Sequence, residues 1–320
     1  MMVLVFGYAL RAQSGTTAWA EYENVRTLVL VPNQNPAAAS LQEQIIRSVP
    51  EGIRVLLVSP KGTKTPAIAG VEVLDSAIDP VNPWARDFLP HPVRLSSDRF
   101  GLVDAMYSSD ETSEPDRDLA KAFSVPLFTG LGRSGGARFE HGNFLAARNG
   151  DCFLAGDYAV FGVEGTEAVV YGPKDEPKSF MMKDHLKVLR GSYGCKRVVL
   201  MPASKPVGVR HIDERIKIVS DDLVLTDRPH YQTILGGLGY RTMLLPQPEQ
   251  GNAARRNRNY VNSILLNGTV LVPTYGVPED QEALEIYQRA GFERVVPLEA
   301  ATVLDAKSGG PHCLSMTFPF

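Results

Sequence analysis

Long apolar runs are missing from this 320-residue chain. Without a stretch of about 20 apolar residues, nothing in it reads as a membrane-spanning helix. Blocks of like charge are missing too. The 33 Lys and Arg are interspersed with 36 Asp and Glu, for a net charge of −3. That pattern leaves no basic tail for nucleic acid and no cationic patch for a membrane surface. Cysteine is scarce. Cys152, Cys195 and Cys313 form no CxxC and no disulfide ladder, and an odd count leaves at least one thiol free or paired elsewhere. An isolated thiol is most often a small buried apolar group. No Gly/Ser linker or low-complexity stretch divides the chain. What is present is ordinary for a globular protein: 44% hydrophobic and 22% charged residues, with length enough for a large core.

The first ten residues, MMVLVFGYAL, are apolar and are followed by RAQSG. They have the apolar core and tail of a secretory signal ending near Ala12, but not its basic start. A first β-strand reads equally well. Residues 1–20 are therefore set apart as an N-terminal apolar segment, and 21–320 as a single domain. The protein is exported if that segment is a signal, and cytoplasmic otherwise.

A weak internal repeat organises the rest. A helical pattern stops at Gly or a turn, and a short β-branched strand follows. The cases run from Ser40 to Pro60, Pro115 to Gly130, Lys183 to Pro202, Asp227 to Pro248 and Pro278 to Glu299. Ser40, Asp116, Asp184, Asp227 and Pro278 supply helix-start chemistry, and Gly52, Gly194, Gly239 and Gly291 supply stops. Between the helices lie strand pairs with turns at Asn149-Gly150, Asp221-Asp222 and Asn267-Gly268. The unit is hairpin, helix, strand, about five times over. The fold class is α/β. Five such units closing radially would form a five-bladed α/β propeller, whose loops bring distant residues to one centre.

Four motifs sit near strand–loop junctions of different units. In GGPHC, Gly309 to Cys313, two glycines and a proline place a thiol on a turn, where it is either a nucleophile or packed inward. In HID, at the start of a hairpin, His211 and Asp213 are two apart and share a face if the segment is extended. In WARD, Trp84 stands beside Asp87, a pairing that suits a flat cation, or else anchors a core. FEHGNF offers Glu140 and Asn143 at a strand start, with Gly142 allowing a tight backbone. Together Cys313, His211, Asp87, Glu140 and Asp213 suit guanidinium chemistry. Carboxylates grip the nitrogens of a planar cation, a thiolate attacks its carbon, and a histidine moves the protons. The slight acidity of the chain fits a cationic substrate without deciding for one.

In these motifs the chain resembles the agmatine deiminase and bacterial-type peptidylarginine deiminase family of the guanidino-group-modifying superfamily. The carrying stretches are AEYENVRTLVLVPNQ, WARDFLP, FEHGNF, HIDERIKIVSDDLVLTD, YVNSILLNGTVLVPTYG and GGPHC. The resemblance implies the five-bladed propeller (pentein) fold. It implies Cys313 as nucleophile, His211 as acid/base, Asp87 and Asp213 on the guanidinium, and Glu140 supporting the histidine. Trp84, Asn143 and Asn262 would contact substrate. It implies a small guanidinium substrate or an arginine-containing peptide, with no metal or organic cofactor, and leaves room for a homo-oligomer. The chain departs from the family at His141, where Gly is common, at Arg210 and at Leu89. These changes bear on the substrate more than on the hydrolysis. Arg133 and Arg138 precede Glu140 and are candidates to hold a substrate carboxylate, or are simply solvated. Three other readings stay open. One is amidino transfer within the superfamily. Another is a non-catalytic guanidinium binder. The third is a metal site drawn from His141, His211, His312, Cys313 and Asp213, whose spacing fits no usual zinc pattern.

Overall fold

The computed structural model describes residues 15–32, 35–63, 68–78, 82–96, 98–104, 113–129, 140–157, 167–177, 180–202, 211–248, 258–301 and 309–320. The apolar segment up to residue 14, and Arg133, Arg138 and Arg210, lie outside them. Five sheets stand among the described residues. Strand β1 (Thr17–Ala18) comes first but belongs to the second unit. The first unit holds β2 (Thr27–Leu30), helix α1 (Pro36–Ser48), β3 (Arg54–Pro60) and β4 (Val71–Ser76). The second follows the short helix α2 (Ala85–Phe88). It pairs β1 with the hairpin β5 (His91–Ser96) and β6 (Arg99–Asp104), and adds α3 (Glu114–Ala122) and β7 (Leu127–Thr129). The third holds β8 (Leu145–Ala146), β9 (Asp151–Ala155), β10 (Val169–Tyr171), α4 (Phe180–Gly191) and β11 (Arg197–Met201). The fourth is β12 (Ile216–Ile218), β13 (Leu223–Thr226), α5 (Pro229–Gly237) and β14 (Arg241–Leu244). The fifth is β15 (Ile264–Leu266), β16 (Thr269–Thr274), α6 (Glu279–Arg289) and β17 (Arg294–Glu299). The last strand, β18 (Ser315–Phe318), returns to pair antiparallel with β2 and completes the first sheet.

Period-two alternation in these strands buries both faces. In β2, Leu28 and Leu30 enter one apolar cluster while Val29 enters another; in β3, Val55 and Leu57 part from Leu56 and Val58 in the same way. In β9 and β11, Cys152, Leu154, Val198 and Leu200 face the second unit, whereas Phe153, Ala155, Val199 and Met201 face the fourth. Each cluster is thus shared by successive units, and the largest joins the fifth unit to the first.

The expected hairpins are present. At Asn267-Gly268 both residues take positive φ, 49° and 83°, as a two-residue type I′ turn requires. Pro278 caps α6 and Asp227 stands just before α5 as expected, whereas α1, α3 and α4 begin earlier than the expected start residues. Asn35 caps α1 by accepting from Ala37 N, and Ser113 caps α3 by accepting from Asp116 N. Asp184 falls inside α4 rather than at its start. Prolines just inside a helix start, and short polar caps before it, outweigh the later residues as nucleation points. Two of the three cysteines are not isolated thiols. Cys152 on β9 is bonded to Cys195, just before the parallel neighbour β11, with Cα atoms 5.7 Å apart, and Cys313 alone is free. A separation of 43 residues hid the pair from spacing rules. Breaking it, by reductant or by Cys152→Ala with Cys195→Ala, should lower the unfolding free energy by about 2–4 kcal/mol, since the cross-link closes a loop of that length in the unfolded chain. Urea unfolding with and without reductant measures this.

Candidate active site

Cys313 lies on the turn leading into β18 and is 3% exposed. The turn is held from two sides. Asn262, just before β15, accepts from His312 N at 3.0 Å and from Cys313 N at 3.4 Å, and donates to Cys313 Sγ at 3.3 Å and Asp213 Oδ2 at 3.1 Å. Arg86 on α2 donates its backbone N–H to Cys313 O at 3.1 Å and its Nε to Ser315 O at 3.0 Å. Gly310 leaves room for the Asn262 amide: a Cβ there would sit 2.5 Å from Oδ1. Gly309, at φ +136°, lies against the Trp84 ring.

The acids and the histidine converge on this turn. Asp213 Oδ2 is 3.5 Å from Cys313 Sγ. The HID segment is not extended: His211 precedes a 3₁₀ turn, Ile212–Glu214. His211 and Asp213 reach the site by that turn rather than by strand alternation. FEHGNF likewise starts not a strand but a 3₁₀ turn, His141–Asn143, with Glu140 before it. The two turns pack on each other, and the first also packs on α2. His211 Nε2 is hydrogen-bonded to Glu140 Oε2, and its Nδ1 is 3.6 Å from Asp87 Oδ1. Asp87 accepts from Gly142 N.

Not every expected contact residue points to substrate. Asn143 spends its amide on the scaffold. It accepts from Ala155 N at 2.7 Å and Ile212 N at 3.2 Å, which ties both 3₁₀ turns to β9. Its side chain is fully buried. Asn262 is engaged with the nucleophile turn in the same manner. His141 is removed from the centre: its Nδ1 contacts Leu89 O and its Nε2 contacts Tyr193 Oη, each at 2.7 Å. Burial first, and then Arg86, keep this imidazole neutral and lower its pKa to about 3 against the Leu89 hydrogen bond. The five ligands of the metal reading therefore do not surround one point. Donor atoms of Asp87, Glu140 and His211 do lie within 4.8 Å of one another. The imidazole stands between the two carboxylates, with Nε2 toward Glu140 and Nδ1 toward Asp87.

The electrostatics divide the acids. Burial raises the Asp87 carboxyl to about 7, with Glu140 and Asp213 adding to the shift against the pull of His211. Burial opposes charge on His211, but Asp87, the Glu140 hydrogen bond and Asp213 outweigh it and raise the imidazole to about 9. Burial, then the charges of Asp213, Asp87 and Glu214, push the Cys313 thiol well above the usual thiol range. Glu214, raised by burial and by Asp213 to about 8, was missed by motif reasoning. So were Glu21, Arg86 and Lys217, whose buried side chains are linked by ion pairs to one another and to His312. His312 was named only as a candidate metal ligand.

Gly142 offers a direct check of this geometry. A Cβ there would stand 2.5 Å from His211 Nδ1 and 2.7 Å from Asp87 Oδ1. Gly142→Ala should therefore cost about 100-fold in kcat, the scale of an ångström of misplacement, with an unchanged far-UV circular dichroism spectrum.

Comparison with known proteins places the site in context. Residues 166–319 match the family model of the Porphyromonas-type peptidyl-arginine deiminases. A Streptomyces coelicolor protein described as a candidate agmatine deiminase is 36% identical over 61 residues, a segment covering 19% of this chain and 18% of that protein. Solved structures share the α/β fold. An agmatine deiminase of C. jejuni with substrate bound superposes with a TM-score of 0.73 at 17% identity, covering 94% of this chain and 96% of that one. The agmatine deiminase of Enterococcus faecalis gives 0.72 at 14% identity, over 95% and 96%. The matched segment, a little under half of the chain, is similar to the Porphyromonas-type peptidyl-arginine deiminases, and the chain shares the α/β fold of the solved agmatine deiminases.

Proposed function

We propose that the protein is a hydrolase that converts a guanidinium group to a ureido group and releases ammonia, with Cys313 as nucleophile and His211 as acid/base. One observation carries this reading. Asp87 Oδ1, Asp213 Oδ1 and Glu214 Oε1 are buried oxygens without a hydrogen-bond partner, and all three carboxyl groups act electrostatically on one free thiol. Buried acceptors left open cost free energy unless a ligand fills them. A guanidinium, planar, cationic and made of N–H donors, has the matching chemistry. A cation placed among these acids also removes the charge that holds the thiol protonated.

The steps follow from the proton positions. Once the cation is bound, the Cys313 thiol passes its proton to solvent and the thiolate adds to the guanidinium carbon. His211, protonated in the resting site, gives its proton to the departing nitrogen, and the C–N bond breaks to leave a thiouronium on the sulfur. The now neutral His211 takes a proton from water as the oxygen adds to the same carbon. The C–S bond then breaks to return the thiolate, the ureido oxygen gives its remaining proton to ammonia or solvent, and the product leaves. Glu140 holds the ring through Nε2, and Trp84 offers a face for the flat cation. The five units are proposed to close radially as blades of a propeller. Apolar clusters shared between successive units, and between the last and the first, support this. The match to deiminases favours water over an amine as second nucleophile. The substrate class is agmatine, or free or peptidyl arginine.

Incubation with agmatine, free arginine and an arginine peptide tests the reading through the ureido product and ammonia. Turnover of none of the three overturns it, and transfer to an added amine without ammonia release turns it to amidino transfer. Cys313→Ala should lower turnover by at least about 10⁴-fold; retained turnover would remove Cys313 as nucleophile. The pH dependence has a definite sign. Asp87 must be ionised to hold a cation, and His211 must be protonated to release ammonia. A plot of kcat/KM against pH should therefore rise through about 7 and fall through about 9.

A further inference from the structure

Behind the thiol lies a second layer of charge that the steps above do not use. His312 Nδ1 is 2.7 Å from Asp213 Oδ2, and His312 Nε2 is 2.7 Å from Glu21 Oε2. The ring is 1% exposed, Asp213 0% and Glu21 8%. Glu21 is paired in turn with Arg86, and the Lys217 ammonium lies 3.7 Å from its Oε2. An imidazole facing a carboxylate oxygen at each nitrogen donates to both only when both nitrogens carry protons.

We propose that His312 is a positioning residue for the deimination, an imidazolium fixed between Glu21 and Asp213 that keeps Asp213 ionised and aimed at the substrate cation. The proposal rests on the deiminase reading of the same site.

A control is built into the molecule. Asp213 and Asp87 are both buried carboxyls beside Cys313 and His211. Burial raises both, and burial without compensation favours the neutral acid. Asp87 ends well above the usual carboxylate range, whereas Asp213 ends below it. The leading difference is His312, through its hydrogen bond and its charge; His211 and Lys217 contribute after it. Glu21 is also held well below its ordinary range: burial opposes this, and Arg86, His312 and Lys217 overcome it. The groups facing the His312–Asp213 pair come from every element around it. They are Glu21 from the segment after β1, Arg86 and Asp87 from α2, and His211 and Glu214 from the second 3₁₀ turn. Lys217 from β12 and Cys313 from the turn itself complete the set. His312 and Asn262 together occupy Asp213 Oδ2 and leave Oδ1 toward the ligand.

Two measurements test this on the full chain. The first needs no substrate: nitrogen-15 NMR of histidine-labelled protein, with His312 assigned by the loss of its signals in His312→Gln. Two protonated ring nitrogens at neutral pH are expected; a neutral tautomer overturns the proposal, whatever the substrate panel shows. The second uses the guanidinium compound that the native enzyme turns over best. His312→Gln should raise KM by about 10- to 100-fold, as expected when a buried charged acceptor loses its partner, with a smaller fall in kcat. The acidic limb of the native enzyme belongs to Asp87 alone; with Asp213 left to burial, both carboxyls should titrate there, so in His312→Gln the limb should steepen from one proton toward two. Glu21→Gln should steepen it less. Activity lost with a limb that keeps its one-proton slope would show a merely structural role and overturn the proposal.

Discussion

A carboxylate that must stay charged where water cannot reach it governs this structure. Asp213 touches the thiol and is fully buried. Such a charge persists only with close opposite charge and full hydrogen bonding. Here the compensation is handed on: Asp213 to His312, His312 to Glu21, Glu21 to Arg86 and Lys217. Three cationic side chains thus stand against two carboxylates in this chain of contacts, and Asp213 keeps its charge although burial opposes it. Asp87 and Glu140 instead flank His211, and burial still raises Asp87 to about 7 against that charge.

That arrangement sets demands on the fold. Its members come from the segment after β1, α2, the two 3₁₀ turns, β12, the start of β15 and the entry to β18. No local segment could carry them all. Sheets buried on both faces allow it, because alternate side chains of one strand lock neighbouring units on either side. The strand ends are then free to present polar groups. Asn143 and Asn262 do the remaining alignment, each tying backbone N–H groups from segments far apart in sequence.

The sequence showed the parts whose physics is local. Asn267-Gly268 marked its hairpin because few residue pairs accept two positive φ values in succession. Cys313, His211, Asp87, Glu140 and Asp213 were legible because their motifs join a reactive or charged side chain to glycine or proline, and the structure brings all five together. Glu21, Arg86 and Lys217 were not legible. Lys217 lies between Ile216 and Ile218, Glu21 between Ala20 and Tyr22, and Arg86 beside Asp87; burial of a charged residue depends on what folds over it, which such neighbours do not tell. His312 was visible as part of a turn and as a candidate metal ligand, not as a partner of Asp213. The extended reading of His211 to Asp213 failed for a related reason. Alternation predicts a shared face, and a 3₁₀ turn also gathers nearby residues at one end of an element. Cys152 and Cys195 became partners only once β9 and β11 lay side by side.

The pairing of β18 with β2 has a temporal consequence. Phe318 lies opposite Thr27 and Ser315 opposite Leu30, so this ladder joins segments separated by almost the whole chain. Contacts of that separation are costly in loop entropy and tend to form late. The nucleophile turn enters directly into that strand, and its Arg86 and Asn262 anchors also lie far from it in sequence. The contacts of Cys313 with Arg86, Asp213 and Asn262 all close long loops of chain, so the surroundings of this sulfur form with the global fold and not within any local segment.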